Sequence, residues 1–342
     1  TIDPNGLNVG QFGNRNLIIN GSMQVAQRGT SATGKNQSGY YSSDRAKVYF
    51  SAIDQMVTTV SQDTDAPDGF TKSHKVLVTT AETSIDTNEL YCMLWYNIEG
   101  QDLQQLDYGS SNAKPLTLSF WVKSNVTGTY TLSAYSSIGG ANSIQAPTYT
   151  INTADTWEYK TLAISGNTTR GIVDSNGLGM DFYWNGLVGS QYTSGTQSAS
   201  WSNYAQSNWA VGHTADFGLD VNDYWQITGV QLELGDTSTP FEHISYGDQL
   251  QKCQRYYSQV FYQAEGVMGL VGNLAPYCPV LPVTMRAAGT ITHTNVANGG
   301  NVTGLHSSSV KAYGLTTLFV VLSSNGTGYG YYLADIAIDA EL

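Results

Sequence analysis

The sequence predicts an all-β protein: a jelly-roll-like β-sandwich, one short connecting helix and a smaller C-terminal β domain. Three observations carry this. Charged residues make up only 12% of the 342, while Gly (36) and Tyr (23) are abundant, a balance that favours strands and turns over long Glu- and Lys-rich helices. Short runs of period-two alternation recur between clusters of Gly, Asn, Asp and Ser. A single segment has helical spacing instead.

In Leu116–Lys123, Leu116, Leu118, Phe120 and Val122 share one face, and Thr117, Ser119, Trp121 and Lys123 the other, as in a half-buried antiparallel strand. Within Tyr224–Leu234, Val230, Leu232 and Leu234 oppose Gln231 and Glu233. Further strands are expected at 17–27, 45–51, 56–61, 74–80, 89–97, 129–136, 157–164 and 178–184, enough for a sandwich or jelly roll. The exception is Ser245–Tyr257, where Tyr246, Leu250, Cys253 and Tyr257 form a helical stripe and Ser245 with Asp248 fits a capping box. The organisation expected is therefore a segment at 1–13, a sandwich over 14–244, a connecting helix over 245–258 and a β domain over 259–342. In the last, strands are expected at Val260–Val271, Pro279–Met285, Thr290–Thr294, Leu315–Leu322 and Tyr329–Ile338. Leu315–Leu322 is apolar on both faces after Leu318, so it needs cover from either the sandwich or neighbouring copies; neighbouring copies are the preferred reading, and a homo-oligomer is expected.

Composition excludes whole classes of partner. With a net charge of −12 and only 15 Lys and Arg, the chain lacks the cations that displace counterions from nucleic acid. It has no polybasic run for an anionic membrane and no stretch near the ~20 apolar residues that span a bilayer. Residues 1–13 carry no apolar signal-peptide core. Cys92, Cys253 and Cys278 are few, odd in number and not spaced for zinc or redox chemistry; buried free thiols are expected.

No motif for catalysis stands out. The histidines His74, His213, His243, His293 and His306 are scattered, with no H-E-x-x-H, G-x-S-x-G or P-loop, and Gly326–Gly330 reads as a turn. No cofactor is expected. One loop is acidic: Asp63, Asp65 and Asp68 fall within seven residues. A structural Ca2+ is conceivable there, although an ordinary Asp/Pro/Gly turn is the preferred reading. The stretch from Tyr183 to Trp209 is rich in aromatics, Ser, Gly, Asn and Gln. Rings pack on the C–H faces of sugars while amides and hydroxyls bond their hydroxyl groups, so Trp184, Tyr192, Trp201 and Tyr204 are the candidate carbohydrate contacts. For Trp184 and Trp209 a core position is preferred; for Tyr192, Trp201 and Tyr204 both readings stand.

Ordered motifs then carry a resemblance. Asn14–Thr30 (NRNLIINGSMQVAQRGT) followed by Ser43-Asp44-Arg45, Ile227–Gly235 (ITGVQLELG), Thr239–His243 (TPFEH), Tyr256-Tyr257, Pro282–Arg286 (PVTMR) and Ile338–Leu342 (IDAEL) together resemble a family of bacteriophage tail-fibre and minor virion structural proteins. The resemblance implies a virion protein with a jelly roll similar to carbohydrate-binding modules, commonly homotrimeric and in contact with other virion proteins, so a trimer is the homo-oligomer expected. Residues 1–13 lie outside it and are expected to be either an attachment end or a linker, the tail of a longer upstream region. Arg28, Asp44, Arg45 and Glu233 fall in the motifs and are expected to fix sheet register through partly buried ion pairs. The expected function is a non-enzymatic tail fibre, assembled in the host cytoplasm, that attaches to host-surface polysaccharide. A purely architectural particle protein and a polysaccharide-degrading tail enzyme are the alternatives.

Overall fold

The computed structural model describes residues 14–138, 141–268, 276–277, 280–300, 302–313, 317–324 and 328–342. The chain divides into two compact units, Thr1–Ser245 and Tyr246–Leu342.

The first unit is a β-sandwich. Its six-stranded sheet runs in the order β1 (Ser31–Lys35), β4 (Val57–Asp63), β5 (Ser73–Thr80), β14 (Tyr224–Leu234), β7 (Leu116–Ser124), β11 (Glu158–Ile164). The larger sheet runs β13 (Ser202–Asn203), β9 (Ala141–Gln145), β8 (Gly128–Ile138), β12 (Leu178–Val188), β6 (Leu90–Glu99), β3 (Lys47–Ser51), β2 (Gly39–Tyr40), with β10 (Thr148–Ile151) also paired to β8. Every pairing within these sheets is antiparallel. Apart from the consecutive pairs β2–β3, β4–β5 and β8–β9, neighbouring strands come from distant parts of the chain, as in a jelly roll.

Alternation decides what lies between the sheets. Val76, Val78, Leu118, Phe120, Val122, Ile227 and Leu232 of the smaller sheet meet Tyr91, Met93, Tyr130, Leu132, Phe182 and Trp184 of the larger in one buried cluster. Phe120 and Trp184 pack edge to face, their centroids 5.9 Å apart, an arrangement that adds to area burial through the ring quadrupole. With its inner residues so filled, each strand must turn its alternate side chains outward.

The expected strand at 17–27 is instead an irregular segment. Asn20 and Met23 adopt positive φ (62° and 56°), which interrupts an extended run. Its backbone is satisfied from elsewhere: Leu17 N donates to Leu232 O (3.0 Å) and Ile19 N to the Tyr96 hydroxyl (2.6 Å). The Asn16 side chain donates to Val230 O (3.0 Å) and accepts from Leu232 N (3.0 Å). These groups lie on the edge of β14 beyond Ile227, where its pairing with β5 has ended. The motif residues thus serve packing. Arg45, 1% exposed, donates to Asn97 O (2.6 Å) and covers the Tyr96 ring. Glu233 accepts from the Thr239 N–H (3.0 Å) and hydroxyl and lies 3.7 Å from Arg15.

The second unit opens with α1 (Tyr246–Gln254). Its buried residues are Gln249 and Cys253, one turn apart, whereas Tyr246 is 56% exposed, so the inward face is narrower than the expected stripe. Two three-stranded sheets follow: β15 (Tyr257–Met268), β20 (Gly328–Asp339), β17 (Thr290–Gly300), and β16 (Pro276–Tyr277), β19 (Thr317–Ser324), β18 (Val302–Tyr313). Over 281–285, where a strand is expected, the chain bends without pairing. Residues 1–13, Cys278 and the side chains of Leu315–Leu322 lie outside the described residues, and with them the expectations of an attachment end and of a strand that neighbouring copies cover.

Candidate functional site: an aromatic face on the larger sheet

Outward-facing residues of four adjacent strands converge on the larger sheet. Lys47 and Tyr49 come from β3, Trp95 from β6, Asp181 and Tyr183 from β12, and Tyr135 from β8. The register places Lys47 beside Trp95, Trp95 beside Tyr183, and Asp181 beside Tyr135. Trp95 and Tyr183 are stacked at 5.0 Å and 19°, and Tyr49 meets both rings edge-on, at 5.5 and 6.2 Å. Trp209 continues the row, 4.8 Å from Tyr183 and 5.9 Å from Tyr135, and Tyr204 adds a ring 5.4 Å from Tyr135.

Two charges sit among these rings. Lys47 Nζ lies 3.6 Å from the Trp95 centroid and 5.5 Å from that of Tyr40, which also lies under Arg28. This is cation–π geometry. Asp181 is 2% exposed and accepts from the Trp95 indole N–H (3.2 Å). Burial pushes its pKa up to about 7, against the pull of the Trp95 hydrogen bond and the Lys47 charge.

A polar hub beneath holds the rings in place. Asn185 Nδ2 donates to Thr131 O (3.1 Å), Thr131 Oγ1 (3.1 Å) and Ser133 Oγ (2.8 Å). Its Oδ1 accepts from Trp209 Nε1 (2.9 Å) and Cys92 Sγ (3.3 Å). Ser133 Oγ also donates to Trp209 O (2.6 Å). The hub makes Trp209 part of the sheet, and burial raises the pKa of the Cys92 thiol, which keeps it protonated. Nearby, His213 accepts from Thr131 N–H at Nδ1 (3.3 Å), and its Nε2–H is shared between Gly186 O (3.0 Å) and Ala215 O (3.1 Å). Burial lowers its pKa to about 4, only partly offset by those carbonyls.

The candidate carbohydrate contacts from the sequence separate. Tyr204, 38% exposed, and Tyr192, 6% exposed, both belong to this face, Tyr192 packing under it with Trp209 and Tyr183. Trp184 is fully buried in the sandwich core, because its place in the β12 alternation points it inward; no ligand reaches it there. Trp201 packs against the core instead, its indole N–H bonded to Ser165 O (2.6 Å) and its ring 6.2 Å from Tyr108. No sequence motif marks Lys47, Tyr49, Trp95, Tyr135 or Asp181. Their one sequence signal is that each lies outward in a strand whose inward partners are apolar.

The acidic loop is committed to lysines. Asp63 Oδ2 lies 3.0 Å from Lys75 Nζ, and Asp65 Oδ2 2.7 Å from Lys123 Nζ. The indole N–H of Trp157 donates to Asp65 Oδ1 (3.1 Å). Partial burial opposes ionisation of Asp63 and Asp65, yet these bonds hold both pKa values below the ordinary carboxylate value. Asp68 is exposed. Among the described residues no three His, Cys, Asp or Glu side chains are grouped to hold a metal ion. Asp63 and Asp65 are thus each paired with a lysine ammonium group, while Asp68 lies exposed beyond them.

No protein-family model matches this chain, and no curated protein matches it. Solved structures do. The chain is similar to the enzymatically active domain of bacteriophage CBA120 tailspike protein 4 at 14% identity and a TM-score of 0.33, over 64% of this chain and 21% of that one. It is similar to a CBM4 structure at 10% identity and 0.30, over 63% of this chain and 97% of that one. A family 30 carbohydrate-binding module follows at 9% and 0.31, over 65% and 89%. The chain thus spans about a fifth of that tailspike domain and most of each binding module.

Proposed function

We propose that the first unit binds glycans through the aromatic face of its larger sheet, in a non-enzymatic tail fibre of a phage particle. The observation that carries the binding is the grouping of Tyr49, Trp95, Tyr135, Tyr183 and Tyr204 around the Lys47–Trp95–Asp181 unit. Ring faces suit sugar C–H surfaces and the Lys47 ammonium beside them suits hydroxyl groups, the mix of apolar wall and few polar groups expected of a binding site, while Asp181, bonded to the Trp95 indole, holds that ring in place. The particle assignment rests on the ordered motifs, from Asn14–Thr30 to Ile338–Leu342. Assembly as a homotrimer with other virion proteins would multiply modest single-site affinity. A glycan array with the purified protein tests this. Binding that is lost in Trp95→Ala supports it, and repeated absence of binding to arrays and host envelopes sinks it in favour of a purely architectural role.

A second reading has one specific observation behind it. A buried carboxyl with a pKa near 7, as at Asp181, is what a general acid for glycoside cleavage requires. Release of reducing sugar that stops in Asp181→Asn would establish a polysaccharide-degrading enzyme.

A further inference from the structure

The opposite sheet carries a separate cleft of about 460 Å³, lined by Asp68, Phe70, Ser119, Trp121, Tyr159 and Phe241 among others. One wall is a trio of rings: Phe70 lies 5.0 Å from Phe241 and 5.4 Å from His243, and Phe241 and His243 lie 4.9 Å apart. The other wall is the Trp121–Tyr159 pair, 5.4 Å apart, with Tyr159 44% exposed. The trio is seated by the β14 bulge. Gly229 has φ +62°, and a Cβ there would meet the Phe70 ring at 2.7 Å, so only glycine lets the ring rest on the strand.

The charge of this cleft is one-sided. Among the described residues its lining holds the carboxylate of Asp68, the His243 ring and no Lys or Arg. The lysines of the same sheet are engaged elsewhere, Lys75 with Asp63, Lys123 with Asp65, Lys160 with Glu158 and Lys35 over the Tyr41 ring. The aromatic face of the larger sheet is different, because there Lys47 already covers Trp95. Ring faces are negative and attract cations, and a neighbouring carboxylate adds to that attraction. A bare metal ion would need several oxygen ligands, whereas a carbon-rich cleft with one carboxylate suits a cation that wears its own apolar shell.

We propose that this cleft is a second ligand site, specific for an organic cation of the alkylated-ammonium class. The occupant's alkyl groups contact Phe70, Trp121, Tyr159 and Phe241, and Asp68 balances its charge. The site is independent of the glycan face, since no residue is shared.

Choline and its uncharged carbon isostere, 3,3-dimethylbutan-1-ol, are the probes, titrated into the intact protein by calorimetry and proton NMR. Choline is expected to bind at least about fivefold more tightly than the isostere, the ratio that a cation–π gain of this class gives, with its methyl protons shifted upfield by the rings. Asp68→Asn and Tyr159→Ala, both at exposed positions, are expected to weaken choline binding by about threefold or more at an unchanged Tm, and Trp95→Ala to leave it intact. Equal affinity for the two probes, no measurable choline binding, unaltered binding in both cleft variants, or loss in Trp95→Ala would each overturn the proposal.

Discussion

The Lys47 ammonium lies 3.6 Å from the centroid of the Trp95 ring, while the indole N–H of that same Trp95 is bonded to Asp181 at 3.2 Å. Cation, ring and carboxyl therefore form one electrostatic unit across β3, β6 and β12. Burial raises the Asp181 pKa to about 7, and Lys47 is one of the groups that restrain it. Replacing Lys47 with methionine keeps the stem over the ring and removes the charge. The Asp181 carboxyl is then expected to titrate above pH 7, as followed by carbon-13 NMR of the labelled side chain. An unchanged midpoint would mean that Lys47 is screened from Asp181.

The same carboxyl ties stability to pH. A folded pKa near 7 lies above the ordinary 3.8, so between these values the folded state holds a proton that the unfolded state has released. Stability from Asp181 is full below about pH 4 and is lost as pH rises to about 7, with a ceiling of about 4 kcal/mol. His74 and His213 work the other way. Burial lowers each from 6.5 to about 4, so each contributes stability above pH 6.5 that is lost as pH falls to about 4, roughly 3 kcal/mol apiece at most. In denaturant melts, Asp181→Asn should gain stability relative to the parent as pH rises from 4 to 7, and stop gaining beyond. A parallel pair of curves would refute a buried titrating Asp181.

Tyr204 and Trp201 are three residues apart yet belong to different parts of the molecule. Tyr204→Ala removes an exposed ring of the aromatic face and is expected to weaken glycan binding by about 2- to 10-fold, the value of one aromatic contact, with little change in Tm. Trp201→Ala removes a ring packed on the core and its bond to Ser165 O. It should lower stability by about 2–4 kcal/mol and leave the affinity of the folded fraction as it was. Glycan titrations and melts on the two variants separate these effects.

Asp65 shares its two oxygens between Lys123 and Trp157. Calcium or a chelator should therefore leave the Tm of the parent within about 1 °C, since a ligand that binds neither state shifts nothing. A rise in Tm that grows with calcium concentration would establish a metal site in this loop.

Much of the sandwich is visible in local alternation. Leu116, Leu118, Phe120 and Val122 face inward as their spacing demands, and Trp121 outward. The period also decides between the two readings of Trp184, since Phe182 and Trp184 are inward and Asp181 and Tyr183 outward. The aromatic face is not local. Lys47 meets Trp95, and Trp95 meets Asp181, only through strand pairings that join segments far apart in the chain, and no spacing rule encodes those. Residues 17–27 mislead for a different reason: their apolar residues alternate well enough for a strand, but the backbone turns at Asn20 and Met23.

Asn16 shows what that misread segment is for. Its amide bonds Val230 O and Leu232 N, on the edge of β14 beyond its pairing with β5, and its Oδ1 also accepts from Ile18 N (2.9 Å). Alanine at this position strands a buried carbonyl and two N–H groups in a place water does not readily reach. A loss of about 1–3 kcal/mol is expected, which for a unit of this size lowers the Tm by about 2–12 °C. Aspartate is not a conservative replacement: it keeps the acceptor but turns the donor facing Val230 O into a second acceptor. Asn16→Asp should therefore melt no higher than Asn16→Ala at neutral pH, and recover part of the difference at acid pH, where the protonated carboxyl can donate again. An Asn16→Asp protein as stable as the parent at pH 7 would show that the Val230 carbonyl does not depend on this amide.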